Sequence, residues 1–109
     1  MTTIYQGKQD YCDIAVTDAA GIVIPYDHAR GWEVKLFSRY RHREIAAFSG
    51  DLILPPVDEN ATFRIFISED LTKRMQGYYG LQIKATYQGD PAVIDIAEIE
   101  EFLNVRKGY

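Results

Sequence analysis

Three arginines at alternate positions, Arg39, Arg41 and Arg43, form the most distinctive local feature of this 109-residue chain. Tyr40 and His42 lie between them. In an extended segment, residues two apart share a face, so the three guanidinium groups project to one side. Such a row can hold phosphates while Tyr40 or His42 stacks on a base. Two other readings fit the same residues. A charged hairpin tip or edge strand keeps sheets from pairing edge to edge, and Arg and Tyr are both enriched where proteins anchor one another. The whole chain carries 12 Lys and Arg against 16 Asp and Glu, a net charge of -4. It therefore has no global attraction to a phosphate backbone, and nucleic acid is not the expected partner.

Other chemistry is thin. Acid–base catalysis needs two carboxyl groups converging in a pocket. Glu98, Glu100 and Glu101 are close in sequence, but nothing elsewhere in the chain pairs with them, and they read as a solvated acidic edge. The two histidines, His28 and His42, are well separated and lie in no nucleophile or zinc signature. Cys12 is the single cysteine, so it can form no internal disulfide and no cysteine metal site. Its spacing with Ile14 and Val16 reads as a small buried apolar residue. The expectation is a protein that is not an enzyme and takes no cofactor and no metal. Eight tyrosines allow a different class of function, a glycan-binding module in which Tyr78 and Tyr87 stack on sugars.

The elements that must position these residues follow period two. Cys12–Thr17 alternates and ends at Asp18-Ala19-Ala20-Gly21, a turn signal. Ile22–Ile24 reads as a short partner strand that stops at Pro25. In 31–36, Trp32, Val34 and Leu36 face one way and Glu33 and Lys35 the other, as in an antiparallel sheet with one wet face. Glu44–Phe48 can pair back onto it. Leu52–Leu54 runs into Pro55-Pro56, which confines it to an edge or connection. In 62–67, Phe63, Ile65 and Ile67 point to the core. Phe66 shares the opposite face with Arg64, so it serves a second contact surface or lies under a loop.

Ser68–Met75 breaks the alternation. Ser68 suits a helix N-cap, Glu69 and Asp70 its first turn, and Gly77 a left-handed stop. One or two helical turns are expected there. Tyr79–Tyr87 is the longest alternating run, with Gln88-Gly89-Asp90-Pro91 as a turn. Ile94 and Ile96 continue as a partner strand with Asp95 and Glu98 outside, and 99–105 closes as a further strand. Seven or eight short strands with turns between them predict one all-β domain over 1–109, an immunoglobulin-like antiparallel β-sandwich with one short helical connector. The N-terminus has neither a basic region nor an apolar one, so no signal peptide is expected, and no apolar run approaches a membrane span.

One larger pattern joins these pieces. The 18–21 turn follows a first strand, and 32–37, a Gly50-Asp51 turn and 63–67 come next. Leu71, Thr72, Met75, Gly77 and Tyr79 then form a connector into the long strand. Over roughly residues 10 to 105 the chain resembles the N-terminal immunoglobulin-like domain of phage upper-baseplate and related tail proteins. That resemblance implies a structural or adaptor component of a virion, as tail, baseplate or fibre, that assembles with a protein partner or with itself. Without a phage origin the expected location is the cytoplasm. Arg39, Tyr40, Arg41, Arg43 and Phe66 are the binding residues this reading selects.

Overall fold

A computed structural model describes residues 2–40, 43–88 and 94–107. Its strands are β1 (Thr2–Tyr5), β2 (Asp10–Ile14), β3 (Ala29–Ser38), β4 (Glu44–Ser49), β5 (Phe63–Ile67), β6 (Gly77–Tyr87) and β7 (Ile94–Arg106). One helical turn, α1 (Glu69–Thr72), joins β5 to β6. Five strands form a sheet in the order β1-β7-β6-β3-β4, and β2 pairs with β5 in a two-stranded ribbon. The all-β reading holds.

The alternation in β3 is what the core is built on. Trp32, Val34 and Leu36 are buried, and they stand beside Ala85, Ile83 and Leu81 of β6. The ribbon supplies Cys12, Ile14, Phe63, Ile65 and Ile67 to the same core cluster. Trp32 and Phe63 meet with ring centroids 5.3 Å apart. The indole N–H donates to the Tyr26 carbonyl at 2.8 Å, so this buried aromatic leaves no polar group unmet.

Three expectations are corrected. The sheet is mixed, because β1 runs parallel to β7, with Thr2 beside Leu103 and Tyr5 beside Arg106. A parallel pair needs a long crossover, and here most of the chain lies between the two strands. Residues 22–24 form no strand: a single bridge joins Thr17 to Val23. Residues 52–54 form a connection, as expected: Leu52 ends a 3-10 turn and Leu54 bridges Arg64. Finally, the two closing segments are one strand, and Ile94 and Ile96 stand with Glu98 on its outer side, beside Thr86, Lys84 and Gln82. They are 51% and 62% exposed. Parity decides this, because Ala97 and Ile99 take the inner positions beside Ile83 and Leu81. The turn expected at Gly89-Asp90-Pro91 falls outside the described residues.

A bulge interrupts this pairing without changing the parity. Tyr79 stands beside Leu103 and Leu81 beside Ile99, so the single residue Gly80 faces the three residues 100–102. The swollen β7 backbone presses on Gly80. A Cβ there would sit 2.6 Å from the Ile99 oxygen and 2.8 Å from the Glu100 oxygen, which is closer than atoms pack.

The helical connector forms where expected. The Ser68 hydroxyl accepts from the Leu71 N–H at 3.2 Å, and Gly77 takes a φ of 92° as the chain enters β6. The buried Thr72 ties α1 to the β1–β2 turn. Its hydroxyl accepts from the Gly7 N–H at 3.1 Å and donates to the Lys8 carbonyl at 2.6 Å. Gln6 adds a bond from its side-chain amide to the Met75 carbonyl at 2.8 Å.

Two outcomes follow, both read from urea unfolding curves. Gly80→Ala should destabilise the protein by about 3 kcal/mol, since backbone rather than a movable side chain fills the space. Thr72→Val keeps the shape but strands the Gly7 N–H and Lys8 carbonyl, and should remove about 1–3 kcal/mol.

Candidate functional site: the arginine turn and the aromatic ribbon face

The β3–β4 connection begins as a turn at Arg39 and Tyr40. Ser38 N–H donates to the Arg43 carbonyl at 2.9 Å, and Arg39 N–H donates to the Tyr78 carbonyl at 3.1 Å. The turn draws Arg39 across the end of β6 toward β7. Its guanidinium ion-pairs with Glu101 and lies 5.8 Å from the Tyr40 ring centre and 5.9 Å from that of Tyr78. These are cation–π distances. Arg39 therefore lies in a turn rather than in an extended segment, with its guanidinium already engaged. Arg43 is exposed and Arg41 lies outside the described residues. Tyr40 is 77% exposed, the most accessible aromatic of the group.

Arg39 also borders a cleft of about 380 Å³. Phe37, Gly80, Leu81 and Ile99 line it together with Glu98 and Glu100. Its chemistry is an apolar surface with one guanidinium, already paired, and two carboxylates at the rim. Among the described residues no three His, Cys, Asp or Glu side chains gather as a metal-binding group.

Phe66 belongs to the other sheet, so the structure does not bring it together with the arginine turn. It stands beside Tyr11 across the ribbon, with ring centroids 4.9 Å apart. Arg64 lies over Tyr11 at 4.6 Å and binds Asp13 at 3.1 Å. Phe66 is thus half-covered by Tyr11 rather than by a loop, and Tyr11 remains exposed. The proposed partnership of Tyr78 and Tyr87 is corrected: they lie at opposite ends of β6, and Tyr87 packs instead on His28 with ring centres 5.6 Å apart. They cannot share one stacking platform.

Tyr11 is the surface aromatic that the sequence reading passed over. Its signal was available: if Cys12 and Ile14 point inward, Tyr11 and Asp13 point outward. The pairing of Arg39 with Glu101 had no local signal, since 62 positions separate them in the chain.

Compared with protein-family models, with curated proteins and with solved structures, the chain matches none of them. Its function has to be argued from its own geometry.

Cys12 is 2% exposed, and its thiol pKa is pushed up to about 12, first by burial and then by the charges of Asp10 and Asp13. Two measurements check this. In the folded protein Cys12 should resist a thiol reagent that labels the urea-unfolded chain rapidly. The thiol ionises in the unfolded chain near pH 9 but in the fold near 12. The stability this group contributes is therefore complete below about pH 9 and lost between 9 and 12, with a slope of up to about 1.4 kcal/mol per pH unit. Cys12→Ala should flatten that part of the stability curve.

Proposed function

We propose that this chain is an immunoglobulin-like β-sandwich that serves as a non-enzymatic structural or adaptor component of a phage or prophage particle, in its tail, baseplate or fibre. The observation that carries the fold assignment is the Tyr79 corner. At the start of β6 its hydroxyl accepts from the Gln76 N–H at 2.8 Å and donates to the Gln76 carbonyl at 3.2 Å. A tyrosine bonding back to the backbone just upstream of this strand is a hallmark of immunoglobulin-like sandwiches. Three further features support it. β3, β6 and β7 share one sheet while β2 and β5 form the other. Trp32 is buried on β3. Cys12 on β2 and Leu81, two residues after Tyr79, occupy the places where antibody domains carry their bridging cysteines. The chain departs from the constant-type layout in placing β1 beside β7 rather than beside β2.

The adaptor role is supported by two exposed clusters built from anchor-type residues: Arg39, Tyr40 and Tyr78 at one turn, and Tyr11, Arg64 and Phe66 on the ribbon. The virion assignment rests on the connector from Leu71 to Tyr79 and its resemblance to phage upper-baseplate domains.

Mass spectrometry of particles purified from a strain that carries the gene tests the proposal. The chain is expected in the particle fraction. Tyr40→Ala and Phe66→Ala should each reduce incorporation about tenfold with little change in melting temperature, the effect of losing one modest interface anchor. A chain recovered only outside the particles would sink the virion reading.

A further inference from the structure

The five-stranded sheet is faced by a ribbon of two strands, and the ribbon leaves part of the sheet's inner side uncovered. Ile83 is buried on β6, yet Ala97, which stands beside it on the same face of β7, is exposed. Ala97 borders a cavity of about 440 Å³ that is lined by Val16, Ile24, Trp32, Ile83 and Ala85, and also by Asp18. A mostly apolar space of this size is large enough to take side chains of a ligand. The edge of β7 is open at the same place. β1 pairs with 103–106, and among the described residues no strand pairs with 94–101 on that side. The stretch 94–99 is regular, matched residue for residue with 86–81 of β6. Such an edge presents unpaired backbone N–H and carbonyl groups to a further strand.

Charge says what that strand must be. From 94 to 105 the chain carries four acidic residues, Asp95, Glu98, Glu100 and Glu101, and no basic one. The neighbouring cations are engaged elsewhere or already used: Lys84 pairs with Glu33 at 3.6 Å and Arg39 with Glu101. Glu98 receives the Gln82 amide at 3.3 Å. Among the described residues neither Glu98 nor Glu100 is ion-paired, and both are exposed. A charge that turns inward bars an edge to every strand. Glu98 instead stands on the outer side, while Ala97 and Ile99 hold the inner positions beside Ile83 and Leu81.

We propose that the β7 edge at 94–99 takes an extended segment of a partner protein in which apolar and basic residues alternate. Opposed residues in a ladder share a face. Side chains set beside Ala97 and Ile99 therefore turn toward the cavity and are apolar. Those set beside Glu98 stand on the outer side, where a lysine or arginine meets the carboxylate and lays its methylene stem on the exposed Ile94 and Ile96. Backbone bonds supply the affinity and the alternate side chains the specificity. The same edge of a second copy does not fit, because it would bring acidic residues against acidic ones.

The inference rests on the adaptor reading above, but it fails separately from it. A particle component that uses only its arginine turn and ribbon face would enter particles and bind no strand at β7. A chain absent from particles would still bind one.

Trp32 is the single tryptophan of the chain and lines the cavity, so its emission reports occupancy. Titration with a heptapeptide of alternating valine and lysine should change that emission saturably, with a dissociation constant on the order of 100 µM. The counterpart of alternating valine and glutamate should bind at least about tenfold more weakly. The lysine peptide N-methylated throughout can donate no backbone bond and should not bind. Glu98→Lys, at an exposed outer position, should keep the melting temperature, weaken the lysine peptide about tenfold and strengthen the glutamate peptide. No saturable change up to about 1 mM lysine peptide would overturn the inference. So would equal binding of the lysine and glutamate peptides, which marks a cavity that accepts any apolar segment, or undiminished binding of the N-methylated form.

Discussion

Everything in this fold depends on the seam where Trp32 and Phe63 meet. The two rings belong to different sheets and lie at the centre of one apolar cluster. A two-stranded ribbon is marginal by itself in water, so β2 and β5 exist as structure only because the five-stranded sheet takes up their inner faces. The seam in turn leaves the outer side of the ribbon wet. Tyr11, Arg64 and Phe66 are exposed or half-exposed because their neighbours Cys12, Phe63, Ile65 and Ile67 face inward. The candidate contact residues are thus the reverse side of the core pattern.

A second constraint works along β6 and β7. Two extra residues in β7 change its register at Gly80. On one side of the bulge Phe102, Leu103 and Val105 are buried; on the other, Ile94 and Ile96 are exposed. Ile99 and Glu100 line the cleft beside Arg39, and Glu101, within the bulge, ion-pairs with the guanidinium. Because two residues are added, the inward parity of β7 is the same on both sides of the bulge, and what the irregularity contributes is the place of Glu101 beside the arginine turn. The exposed ion pair adds little to stability; its consequence is orientation, since it holds Arg39 between Tyr40 and Tyr78.

Much of this was legible in the residues. The inward set of β3, β5 and β6 followed from alternation, and the capped turn at Ser68 from the residue types that satisfy free N–H groups at a helix start. Thr72 and Gly80 were not legible as critical positions, because each acts through a segment distant in the chain: Gly7 and Lys8 for the threonine, Ile99 and Glu100 for the glycine. The candidate site was half legible. Arg39, Tyr40 and Phe66 were singled out by type, but their grouping was not. Phe66 keeps company with Tyr11 on the ribbon, and Arg39 with Tyr78 and Glu101 on the sheet.

By itself the sequence determined the alternating strands β3, β5 and β6 with their inward faces, the one helical turn and a net charge of -4, because these depend on residues two to four apart. Only the tertiary structure decided that β1 runs parallel to β7, that β7 is one bulged strand, and that Arg39 is paired with Glu101. The reason is physical. Alternation specifies a face but not a neighbour, and strand register is set by packing across the whole sheet. The residues that could do chemistry were visible from the start; what they face was written in pairings between strands distant in sequence.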